Sequence, residues 1–167
     1  MIFRVLLMAP VLLFQCAIQA QEDTSWIELV NPKSKSELWI NPGMYSYHLQ
    51  TDQHLNNNNW GVGLEYRFNS VASATVGSFR NSNSGNSSYV GIYYQPIAIG
   101  LLRLGLVVGG FDGYQSTNNG GWFPAVLPAL TIEGERLGAN LLLIPNVGDR
   151  VHGAISLQLK LKLADDL

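Results

Sequence analysis

Val151–Leu163 reads V-H-G-A-I-S-L-Q-L-K-L-K-L, with Val, Gly, Ile or Leu at every odd-numbered position and His, Ala, Ser, Gln or Lys at every even one. A period of two over this length predicts a β-strand with one apolar and one polar face. At about 3.3 Å per residue the strand is roughly 40 Å long, enough to cross a bilayer's hydrocarbon at the tilt of a barrel strand. Alternation alone does not say which face points outward. A soluble barrel of the lipocalin type hides its aliphatic side, and a membrane barrel displays it.

Glycine and charge bear on that choice. In Trp60–Phe68 one face is Trp60, Val62, Leu64, Tyr66 and Phe68, and the other is Gly61, Gly63, Glu65 and Arg67. Small residues and paired charges fit the narrow bore of an eight-stranded barrel, whereas a soluble exterior is rarely half glycine. Gly100–Phe111 repeats the pattern, with Leu102, Leu104, Leu106 and Val108 against Leu101, Arg103, Gly105, Val107 and Gly109. Charged residues make up 13% of the chain, against about a quarter in a soluble domain. Aromatic residues fall near strand ends, as in membrane girdles.

Eight strands are predicted, at about Gly43–Gln50, Trp60–Phe68, Val71–Arg80, Ser88–Gln95, Gly100–Phe111, Trp122–Ile132, Leu137–Pro145 and Val151–Leu163. Short connections (Asn69-Ser70, Pro96–Ile99, Glu133–Arg136) alternate with mostly longer ones rich in Asn, Ser and Gly. Short turns at one end and long polar loops at the other fit an antiparallel up-and-down transmembrane barrel. Asn56 to Asn59 reads as a flexible loop tip.

The N-terminus is expected to be a secretory leader over residues 1–20, with Arg4, the apolar run Val5–Phe14 and a small residue at Ala20. Cys16 raises a lipoprotein alternative, which the bulky Leu13 and Phe14 disfavour. Residues 21–42 are read as a periplasmic lead-in, 43–163 as the barrel and 164–167 as a tail. Ser25-Trp26-Ile27-Glu28 fits a capping box, so a short helix is expected to run to about Val30. Trp26 and Trp39 are expected either at a membrane interface or covering the barrel's edge. Beyond the leader there is no cysteine, so neither a disulfide nor a thiol nucleophile is available. Nine basic and twelve acidic residues remain there, a balance that gives no sign of nucleic-acid binding.

Little metal or cofactor chemistry is legible. His48, His54 and His152 have no ligand-spaced partners, and no phosphate loop or G-x-S-x-G elbow occurs. His48 shares a bore-facing strand side with Met44 and Ser46, near the long-loop end. Asn81 and Ser82 close the third strand at that same end. A histidine can take a proton from a hydroxyl, and a serine supplies the hydroxyl or an oxyanion donor. Polar residues at a barrel rim are usually just solvated. Pro128 and Pro145 fall at similar heights on adjacent strands, where two missing N–H donors weaken the pairing. This predicts either a lateral doorway for a lipid tail or a bent, bulged strand at the rim.

At these residues the chain resembles the lipid A palmitoyltransferase family, small outer-membrane barrels that move an acyl chain from a phospholipid to lipid A. The resemblance spans Gly43 to Leu163. It is carried by Tyr47-His48, Phe79-Arg80-Asn81-Ser82, Leu104-Gly105-Leu106, Pro124–Leu130 and Ile144-Pro145. It implies a catalytic His48 and Ser82, with Asn81 in the place of the family's aspartate, and a lipid gate flanked by Pro128 and Pro145. It also implies a monomer in the Gram-negative outer membrane whose partners are phospholipid and lipid A, with no metal or cofactor. Tyr93 falls near the family's small acyl-pocket floor residue, which implies a shallower cavity. An amide at Asn81 can orient an imidazole but cannot offset the charge it gains. A barrel without catalysis that binds lipid or stabilises the membrane is the alternative.

Overall fold

The computed structural model describes residues 26–50, 52, 54–148 and 151–167. The expected leader and Ser25 lie outside the described residues. Nine strands form, numbered in chain order: β1 Ile27–Leu29, β2 Ser34–His48, β3 Asn58–Asn69, β4 Ala72–Arg80, β5 Asn86–Ile99, β6 Leu102–Phe111, β7 Phe123–Glu133, β8 Leu137–Ile144 and β9 Ala154–Asp165. From β2 to β9 each strand pairs antiparallel with the next. β9 closes on β2 through pairs from Glu37↔Asp165 to His48↔Ala154. The eight strands therefore make a closed antiparallel barrel.

The aliphatic face points outward. Leu159 is 59% exposed, and Leu157 and Leu161 are exposed beside it. Lys160 between them is 2% exposed and points into the bore. On β3, Trp60, Val62, Leu64, Tyr66 and Phe68 face out while Glu65 and Arg67 are buried. Glycines line the bore where strands crowd: a Cβ at Gly109 would sit 2.1 Å from the Val90 carbonyl oxygen.

The N-terminal segment differs from expectation. The predicted helix near Trp26 is instead β1, which pairs Ile27↔Ile99 and Leu29↔Ile97 with β5. β4 begins only at Ala72, opposite Tyr94, so the last residues of β5 lack a partner on that side. β1 satisfies their backbone, and that pairing outweighs a capping signal too short to nucleate a helix. The first barrel strand also starts at Ser34, well before Gly43. Pro42 lies inside it, at register shifts against both β3 and β9. Pro96 lies inside β5 at a shift against β6. Proline reads as a strand stop but is tolerated at such bulges. Trp39 consequently lies in the bore at 1% exposed, with Lys160 Nζ 4.9 Å and Lys162 Nζ 5.2 Å from its ring.

The turn end of the bore is filled by a polar plug. Glu65 accepts two bonds from Lys160 Nζ, both 2.9 Å, one from Ser73 Oγ at 2.8 Å and one from Asn140 Nδ2 at 3.1 Å. Glu133 pairs with Arg67 and lies 2.6 Å from Lys160. A chain of bonds crosses the bore from Gln95 through Thr131 to Asn140 and Gln158. Above this plug, Phe79, Tyr89 and Phe111 pack in a cluster with ring centroids 6.0–6.4 Å apart.

Candidate functional site

The long-loop end brings His48 and Ser82 together. His48 is the last residue of β2, and Ser82 lies just past the end of β4. His48 Nε2 is 2.8 Å from Ser82 Oγ. His48 Nδ1 is 2.7 Å from Asn57 Oδ1. A carboxamide oxygen only accepts, so Nδ1 carries the ring proton and Nε2 accepts the O–H of Ser82. Tyr114 lies close to Ser82, whose hydrogen bonding favours the phenolate and so acts against the effect of burial. Burial pushes the Tyr114 phenol up from its ordinary range, so it remains a neutral O–H.

Asn81 sits beside Ser82 but turns away from the imidazole. Its side chain is fully buried and builds the loop. Oδ1 accepts from the N–H groups of Asn83 and Gly85, at 3.0 and 2.9 Å. Nδ2 donates to Ser87 Oγ and to the Gly113 carbonyl, at 2.9 and 3.0 Å. This Asx-type turn fixes the backbone that carries Ser82. The place beside His48 that the resemblance implies for Asn81 is taken by Asn57.

Asn57 belongs to a stretch read above as a flexible tip. In the structure its asparagines make specific bonds. Asn56 N–H donates to the Ser82 carbonyl at 2.8 Å, and Asn56 Nδ2 reaches the Asn81 carbonyl at 3.2 Å. Ser46 N–H donates to the Asn57 carbonyl at 2.9 Å, which places Asn57 across the hairpin from the end of β2. Asn59 Nδ2 donates to the Arg80 carbonyl at 2.8 Å. Asn59 Oδ1 is buried with no hydrogen-bond partner among the described residues.

A cavity of about 390 Å³ lies beneath His48, Ser82 and Tyr114. Phe79, Phe111, Leu127 and Leu142 are among its apolar lining, and Asn59 and His152 also line it. Tyr93 does not reach this lining. It packs with Leu127 and Leu142 in the buried cluster one layer lower, its hydroxyl 3.5 Å from Asn140 Nδ2.

The cavity reaches a split in the wall. The β7–β8 ladder runs from Glu133↔Gly138 to Ala129↔Leu142 and ends there. Pro128 is the next residue of β7, and Pro145 follows the end of β8. From Pro128 to Phe123, β7 pairs only with β6, without any register shift. Beyond Leu142, β8 pairs only with β9. The seam is thus an opening between strands rather than a bulge. Pro124, Pro145 and Val126 line the cavity at this opening.

No protein-family model and no curated protein matches this chain.

Proposed function

We propose that this chain is an outer-membrane barrel that moves an acyl chain from a phospholipid to lipid A. The observation that carries this reading is a histidine–serine pair at the head of an apolar cavity that is open to the side. A lipid tail reaching the cavity through the β7–β8 split, past Pro128 and Pro145, places its ester beside Ser82 Oγ. His48 Nε2 is the base. The polar plug below seals the bore, so the acyl chain stays among aliphatic and aromatic side chains. The unpaired Asn59 Oδ1 offers an acceptor for an incoming hydroxyl, in keeping with a sugar as recipient. The exposed aliphatic wall fits a protein exported by a cleaved leader and inserted among lipids.

A second reading, a barrel that holds lipid without turnover, is favoured by the charge balance at His48. Among the described residues no carboxylate hydrogen-bonds its ring. Mass spectra of lipid A from cells lacking such an enzyme, with and without this chain, separate the two. One added acyl chain supports transfer, and an unchanged spectrum from folded barrel supports the second reading.

The cavity yields its own expectation. Ala125 packs at the upper edge of the buried cluster and lines the cavity. Ala125→Trp fills this space. Transfer from long-chain phospholipids is expected to fall by about tenfold or more, because the ester no longer reaches Ser82. Cleavage of a short-chain ester is expected to persist. Equal loss of both would separate the cavity from the chemistry.

A further inference from the structure

Asn57 is used by neither the Tyr-His nor the Phe-Arg-Asn-Ser motif, yet it makes the hydrogen bond on the far side of His48 from Ser82. We propose that Asn57, His48 and Ser82 form a relay in which Ser82 Oγ is itself acylated, with Asn57 as the positioning residue. The proposal rests on the acyl-transfer reading above and names the intermediate of that same site.

The geometry of the three side chains carries the argument. A neutral imidazole can hold its proton on either nitrogen, and only the Nδ1–H form can accept from Ser82. Asn57 Oδ1, 2.7 Å from Nδ1, selects that form and fixes the ring plane. The lone pair of Nε2 then faces Ser82 Oγ at 2.8 Å. Both partners are held by backbone: Asn57 through the Ser46 N–H, Ser82 through the Asn56 N–H. The serine–base–orienter arrangement of nucleophilic catalysis is therefore complete, with an amide as the third member.

The steps balance. Ser82 gives its proton to Nε2 as Oγ bonds to the ester carbonyl carbon. The tetrahedral species collapses by breaking the bond to the glycerol oxygen, which leaves with the proton from Nε2. An acceptor hydroxyl then gives its proton to Nε2, bonds to the acyl carbon and displaces Ser82, which recovers its proton. Nothing is oxidised or reduced.

The test uses the full barrel in detergent and an alkyl fluorophosphonate, which traps activated serines with loss of fluoride. Intact mass is expected to rise by one phosphonyl group, located on Ser82 by peptide mapping and absent in Ser82→Ala. Asn57→Leu is expected to slow labelling roughly 10- to 100-fold, while Asn57→Asp keeps it fast. Nitrogen-15 spectra of the histidine rings are expected to show His48 protonated on Nδ1. Asn57→Leu should release that preference, which a merely structural role would not do. Lipid A acylation by folded protein whose Ser82 never labels would overturn the acylated serine. Full-rate labelling and an unchanged tautomer in Asn57→Leu would overturn the positioning role. A labelled Ser82 without lipid A acylation supports the relay and sinks the acceptor named under the proposed function.

Discussion

His48→Ala is expected to abolish the proposed transfer of an acyl chain to lipid A while the barrel still folds. The loss expected in transfer rate is about 10²–10⁴-fold, the contribution of a positioned general base. Without the imidazole, no other base is seen hydrogen-bonded to Ser82 Oγ among the described residues. The Asn57 carboxamide can hold a ring but cannot replace a base. Folding should be spared, because His48 ends β2 and, among the described residues, its side chain bonds only to Asn57 and Ser82. The plug that ties the strands together lies at the other end of the bore. Mass spectra of lipid A measure the product, and an equilibrium unfolding curve measures the barrel. Wild-type levels of acylated lipid A from His48→Ala would end the catalytic reading.

Glu65→Leu has the largest effect expected on stability, about 3–5 kcal/mol. Glu65 is buried and takes two bonds from Lys160, with Arg67 Nη2 3.6 Å away. Leucine leaves both cations in the bore with less countercharge. Among the described residues Lys160 keeps Glu133 as its counter-ion, and Arg67 keeps Glu133 and a more distant Glu37 at 3.5 Å. A buried pair broken on one side costs more than a pair removed whole. The paired change Glu65→Leu with Lys160→Met should therefore cost less than the sum of the single changes. Urea titration of the refolded barrel in vesicles or micelles gives these values. A shift under about 1 kcal/mol for Glu65→Leu would mean that the plug is not what holds the bore.

The side assignment of the wall was readable in the chain because each strand carries it several times over. A face half glycine beside Glu65 and Arg67 is rare on a soluble exterior, and Gln158 and Lys160 alternate with Leu157, Leu159 and Leu161 in the same sense. The ends of strands were less readable. Pro42 and Pro96 look like stops, and only the register shift of a neighbouring strand makes room for each. Trp39 therefore looked peripheral, although it lies beneath two lysines in the bore. The short β1 has no strand signal of its own, since what fixes it is the unpaired end of β5.

At the site, His48 and Ser82 were legible from their positions at the same barrel end. Asn57 was not. In a run of four asparagines no pattern marks one from the next, and its role depends on standing across the hairpin from Ser46, within reach of the His48 ring. Asn81 drew attention by adjacency to Ser82, yet its carboxamide is spent on the loop backbone. The one available signal was geometric: a residue at the foot of β3 faces the head of β2 once those strands pair.

The proposal that the aliphatic wall faces lipid is tested most directly at Leu159. A nitroxide placed there by Leu159→Cys labelling, in barrel reconstituted into bilayers, is expected to relax strongly with oxygen and weakly with a water-soluble nickel chelate. Strong relaxation by nickel and weak relaxation by oxygen would place this face in water and contradict a barrel that spans the membrane.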